Sequence, residues 1–206
     1  SNPKIKRALE ERQEWENLEK TIQSVESDNK SLKDRYKNAK KRKLIILPDG
    51  TNLLEPRKIK TGYSEAETFA LLIQLMTKYP DLFDFKLLDY DTNVGMDFVV
   101  EDNVGNPRYI ELKGELIKQV NHPFSLIHKF ICYDTSIGSG EILSDKEELE
   151  MQMDIRKNTS FISNNSEFNG KKYTFYNIIP TNSRPTSIEV ICLKRILLEV
   201  IGASIE

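Results

Sequence analysis

Along residues 15–39 the core-type positions alternate at spacings of three and four: Trp15, Leu18, Ile22, Val25, Asn29, Leu32, Tyr36 and Ala39. That is a heptad seam, and the positions around it are Glu, Lys, Gln and Asp. With no Pro between Pro3 and Pro48 and no Gly before Gly50, the pattern predicts one helix of about 40 residues, on the order of 60 Å long. A helix of this kind cannot bury its stripe alone. Asn29 at an a-type position specifies a paired register at some cost in stability, which favours a two-stranded parallel homodimer through residues 15–39. The competing arrangement is an amphipathic helix folded back on the rest of the chain. Either way residues 1–43 connect or dimerise, and residues 44–206 carry any chemistry.

Beyond residue 43 the period changes to two, interrupted by helical stretches. "KLIILPDGTNLLEPRKIKTG" predicts two short strands around the turn Pro48-Asp49-Gly50. In "YSEAETFALLIQLMTKYPDLF" Ser64 is an N-cap, Glu67 stands at the capping-box position, and Phe69, Leu72, Ile73 and Met76 form the expected buried stripe. "FKLLDYD", "GMDFVVED" and "RYIELKGELI" predict three consecutive strands. "NHPFSLIHKFICYD" reads as a short helix running into a strand. The stretch from Thr135 to about Gly170 is rich in Ser, Asn, Gly and Glu and predicts mostly loop, with "LEMQMDI" as a strand within it. "KYTFYNII" is a strand, and "SIEVICLKRILLEVIG" a strand passing into a helix. The alternation defines an α/β domain, a central sheet with helices on its faces. Gly95, just before "MDFVV", allows a bend or a close backbone approach.

Charge separates the two regions. Residues 1–43 hold 13 Lys or Arg against 8 Asp or Glu, a net of +5, whereas residues 44–206 hold 17 against 24, a net of −7. The cations peak in "KNAKKRK", Lys37 to Lys43. This tract suits phosphate contacts or nuclear import, and equally a solvated helix end that complements the dipole. No run approaches the roughly 20 apolar residues of a membrane span, so no membrane partner is expected and the expected compartment is cytoplasmic, or nuclear in a eukaryote. Cys132 and Cys192 sit in apolar runs without zinc-type spacing and are expected as buried thiols. The opening "SN" has the form of a cleavage scar, which implies a piece of a longer chain.

The chemistry gathers in "GMDFVV" and "YIELKGEL". Asp97 and Glu111 are equidistant from Val104, and Asn103-Val104-Gly105 is a turn sequence, so a hairpin centred there sets the two carboxylates opposite each other, about 5 Å apart at Cβ. Lys113 points the same way. Facing anions require a cation between them; Lys113 supplies part of it, and two carboxylates with waters also suit Mg²⁺. The plain alternative is a solvated sheet face with a cross-strand ion pair. His122 and His128, just beyond, can shuttle protons or make ordinary structural contacts.

Glu67 in a helix, Asp97 in "GMDFVV" and Glu111-Leu112-Lys113 in "YIELKGEL", in that order, resemble the PD-(D/E)XK nuclease superfamily. Across residues 62–202, "SEAETFALLIQL", "NHPFSLIHKFICYD" and "EVICLKRILLEVIG" look more narrowly like the nuclease-like C-terminal domains appended to GHKL-type ATPases. Met96 stands where the family pattern has Pro, and Glu65 is a second candidate for the helix acid. The tripeptide alone carries little weight, since Asp28-Asn29-Lys30 and Asp84-Phe85-Lys86 share its form. The resemblance implies a PD-(D/E)XK-like central mixed β-sheet flanked by helices, behind a coiled-coil helix. It also implies one or two Mg²⁺ (or Mn²⁺) ions held by Asp97, Glu111 and the Leu112 carbonyl, with Glu67 on an outer water or the second metal and Lys113 on the attacking water. The implied activity is phosphodiester hydrolysis on nucleic acid, DNA before RNA, with an ATPase region in the same longer chain. An inactive nuclease fold serving as an interaction module is the other expectation; the acidic balance of residues 44–206 argues against strong DNA binding by that region alone, and leaves either DNA delivered by the ATPase region or the interaction module.

Overall fold

The computed structural model describes residues 2–91, 96–181 and 186–206, so Gly95 lies outside the described residues. The chain divides into two compact units, Ser1–Arg42 and Lys43–Glu206.

The first unit is a single helix, α1, Pro3–Ala39. The Asn2 side chain accepts from the Lys4 N–H and a proline opens the first turn, the arrangement that satisfies one free amide and tolerates a missing one. None of its residues is buried: seam residues from Leu18 (48% exposed) to Trp15 (67% exposed) all face solvent.

The second unit opens with β1 (Leu44–Ile46) and β2 (Asn52–Leu54), antiparallel across the expected turn. A two-stranded ribbon follows, β3 (Lys58–Ile59) and β4 (Gly62–Tyr63), and then α2 (Glu65–Lys78). Ser64 Oγ accepts from the Glu67 N–H as the capping pattern requires. The Glu67 carboxylate does not complete the box; it accepts from Arg57 instead. The buried stripe of α2 is Thr68, Leu71, Leu72 and Leu75, rotated from the expected set, of which only Leu72 is shared. Phe69 and Met76 flank it, because the helix is seated by β7 and the Phe98 ring rather than by its own most apolar line.

The main sheet contains β5 (Phe85–Asp91), β6 (Met96–Asp102), β7 (Pro107–Leu116), β8 (Lys129–Thr135), β9 (Ile142–Ser144), β10 (Glu150–Ser160), β11 (Lys172–Pro180) and β12 (Ile188–Cys192). Their spatial order is β5-β6-β7-β8-β12-β11-β10-β9. β7, β8 and β12 run parallel, with antiparallel arms on either side. Parallel neighbours need a crossover of about a dozen residues, which 117–128 supplies between β7 and β8. The central strand β8 is buried over five consecutive residues, the continuous apolar run of a strand covered on both faces.

After β12 the chain turns into α3 (Leu193–Arg195), continued by a π-helical stretch Ile196–Ile201, and ends in β13 (Ser204–Ile205) paired with β1. The architecture is thus mixed α/β, with a long N-terminal helix and a large mixed sheet. One expectation is met and one needs correction. The region 135–170 is mostly loop, as its composition predicts, and the strand expected at "LEMQMDI" is the eleven-residue β10, joined there by the short β9; the buried Met151 and Met153 alternate with more exposed positions. Helices, however, do not cover both faces. One face packs under α2 and the C-terminal helical segment, while the other is closed by Val120, Phe124, Ile127 and Ile137 from connecting segments whose only helical element is the 3₁₀ turn Phe124–Leu126.

Candidate functional site

The β6–β7 hairpin has the register that the turn sequence demands. Asp97 stands directly opposite Glu111, and the loop closes through Gly105 at φ +86, a conformation that favours glycine. Asp102 accepts from the Val104 and Asn106 amides and from Arg108 Nε, and these three donors hold its carboxyl down at about 2. The turn is thereby rigid, and the register with it.

Ile110 and Leu112 point to the face under α2, both fully buried. By alternation Tyr109, Glu111 and Lys113 take the other face, in register with Phe130 and Cys132 of β8. Lys113 Nζ lies 2.6 Å from Glu111 Oε1. Glu111 itself is 0% exposed, and neither of its carboxylate oxygens receives an aligned hydrogen bond, so the contact with Lys113 is electrostatic only. Asp97, half-buried, accepts from the Tyr109 hydroxyl. Burial first, then that hydrogen bond and the charges of Asp97 and Glu111, push the Tyr109 phenol well above its ordinary range, so it remains a donor. The row continues outward: Asp91 of β5 pairs with Asp97, giving three acids in one line across three strands.

Not every expected residue joins this group. Glu67 sits in the first turn of α2, over the opposite face of the sheet, with Oε2 2.6 Å from the Arg57 amide and Oε1 2.7 Å from its guanidinium. The Leu112 side chain is in the core beneath α2. Among the described residues no three His, Cys, Asp or Glu side chains converge as a ready-made metal cage. Mg²⁺ does not require one, since one or two carboxylates plus waters suffice, and a buried carboxylate with unbonded oxygens beside a second acid fits such an ion.

Tyr109 and Asp91 are the site residues that sequence reading missed. Tyr109 was signalled by its place two positions before Glu111, on the same face. Asp91 had no such signal, because the β5–β6 pairing contains an irregularity between Leu87 and Asp89 that shifts the register.

Other polar groups are better satisfied. Lys129 Nζ bonds Asp84 at 3.0 Å and Glu189 at 2.7 Å; burial pulls its pKa down, and the two carboxylates more than offset this, leaving it raised. It lines a cavity of about 570 Å³ with His128, Asp102, Arg156 and Asn177, to which Asp97, Glu111 and Lys113 do not contribute. Burial, and after it the charges of Lys129 and Arg108, hold His128 below its usual pKa. Cys132 and Cys192 are buried neighbours in register on β8 and β12; the hydrogen bond between them and their burial push the Cys132 thiol far up, so it stays neutral. No helix among the described residues is long and apolar enough to cross a membrane.

Compared with protein-family models, with curated proteins and with solved structures, the chain matches none.

Proposed function

We propose that residues 44–206 form a metal-dependent nuclease domain of the PD-(D/E)XK type, the C-terminal part of a larger ATPase-linked protein, paired as a homodimer through residues 15–39. One observation carries the reading: Asp97 and Glu111 are direct cross-strand partners, and Glu111 is a buried carboxylate whose oxygens lack hydrogen-bond donors. Such a group is costly unless a cation completes it. Glu67 on α2, Asp97 on β6 and Glu111-Leu112-Lys113 on β7 stand in the order that the resemblance names, within a mixed sheet.

In this reading Asp97, Glu111 and the Leu112 carbonyl would hold Mg²⁺ or Mn²⁺, which supplies Lewis acidity toward a phosphate oxygen. Tyr109 fixes the orientation of the Asp97 carboxylate. Lys113 orients the attacking water and offsets negative charge developing on phosphorus. Glu67 takes an outer water only once Arg57 releases it. The substrate class is nucleic acid, DNA before RNA.

A second reading, an inactive nuclease fold acting as an interaction module, is favoured by the same burial of Glu111 against Lys113 and by the commitment of Glu67 to Arg57. Calorimetric titration with Mn²⁺, followed by cleavage assays on single- and double-stranded DNA, separates the two. Under the nuclease reading Asp97→Ala removes Mn²⁺ uptake. Lys113→Ala keeps that uptake and slows cutting by about 10²-fold or more. Native protein that takes up no Mn²⁺, or mutants that cut as fast as native, would leave only the interaction module.

A further inference from the structure

The cations of α1 are not treated alike along its length. In the first half Lys6, Arg7 and Arg12 each lie within 3.9 Å of a glutamate one turn on, so that end neutralises itself. Lys30, Lys33, Lys37 and Lys41 are all exposed, and none has an acidic partner among the described residues. Lys30, Lys33 and Lys37 lie on α1, within an arc of about 60° and about 10 Å of helix axis at 3.6 residues per turn, and Lys41 follows in the turn just beyond the helix end. Lys30 and Lys37 stand at b-type positions of the heptad and Lys33 at the e-type position beside the seam, so a partner helix seated on the seam leaves Lys30 and Lys37 open and Lys33 at the edge of the contact.

We infer that Lys30, Lys33, Lys37 and Lys41 form a surface that binds the phosphate backbone of a nucleic acid. The inference rests on the nuclease reading above and answers the electrostatic difficulty in it. A domain with a net charge of −7 over residues 44–206 has few cations to spare for a polyanion, whereas backbone binding requires several cationic contacts with release of counterions. The stripe supplies them on one face, and parallel pairing of α1 would present two such stripes toward the same end. An anionic lipid surface fits less well. The apolar positions next to the lysines form a narrow heptad seam broken by Asn29, not the broad apolar face that sinks into a bilayer.

The test uses the whole chain and a fluorescent 30-base-pair DNA in EDTA, so that binding is read without metal or cleavage. A variant with Lys30, Lys33, Lys37 and Lys41 changed to Gln is compared with a control in which exposed Lys4, Lys20, Lys60 and Lys146 are changed to Gln; circular dichroism checks that both retain their helix. The stripe variant should bind about tenfold or more weakly at low salt, and the slope of log affinity against log salt should fall by about 3 to 4 relative to native protein. The control should bind as native does. Equal affinity of the two variants, no DNA binding by the native chain, or lost binding to phosphatidylserine vesicles with DNA binding intact would each overturn the inference. Absent Mn²⁺ uptake with a normal stripe response would sink the nuclease reading and leave this surface standing.

Discussion

Among the described residues two carboxylates are buried almost completely, Asp145 and Glu111, and their surroundings could hardly differ more. Asp145, 1% exposed, accepts three backbone amides: Phe124 at 2.8 Å, and Glu147 and Leu149 at 2.9 Å each. It ties the 117–128 crossover to the loop before β10, and every bond it makes closes a gap in the backbone ledger. Glu111, 0% exposed, has no amide donor and only one ammonium beside it. A buried charge whose partners are all internal holds the fold together. A buried charge whose oxygens accept no hydrogen bond and which stands beside a second acid is the feature on which the metal-binding proposal rests.

That contrast can be broken by substitution. Asp145→Ala should have the largest effect, about 3 kcal/mol or more in urea denaturation, because it orphans three backbone N–H groups at once. Glu111→Gln should change stability by no more than about 1 kcal/mol, since the charge goes while the shape stays, yet it should abolish Mn²⁺ uptake in a calorimetric titration. If Glu111→Gln instead cost as much as Asp145→Ala, the pair with Lys113 would be an ordinary structural ion pair and the contrast would vanish.

The smallest effect concerns pH. His128 has a lowered folded pKa, so the unfolded chain binds its proton more readily. Its contribution is therefore fully present above the unfolded value of about 6.5 and is lost as pH falls through the lower folded value. His128→Gln should flatten the decline of melting temperature below about pH 6.5 and leave the profile above it unchanged. A decline of equal steepness in both proteins would assign the acid sensitivity elsewhere.

The legible parts of this molecule were the local ones. The Asp97–Glu111 register was readable because a four-residue turn and a strict period of two leave little freedom. Ser64 was readable as a cap for the same reason, its bond reaching only three residues. Glu67 was legible as a residue but not as a partner, because Arg57 comes to it from the segment leading into the β3–β4 ribbon, ten positions earlier. The Tyr109–Asp97 hydrogen bond reaches across two strands, and the pairing of Asp91 depends on an irregularity that composition does not announce.

Sequence by itself determined the long helix and its heptad seam, the hairpin and the unequal distribution of charge, all consequences of short-range periodicity and covalent order. Only the tertiary structure decided which face of the sheet each acid occupies, that Glu111 is sealed from water and that Arg57 holds Glu67. It also decided that loops, in place of a second helix layer, close the far face. These outcomes depend on which distant surfaces compete best for the same apolar area, and that competition is settled by packing in three dimensions.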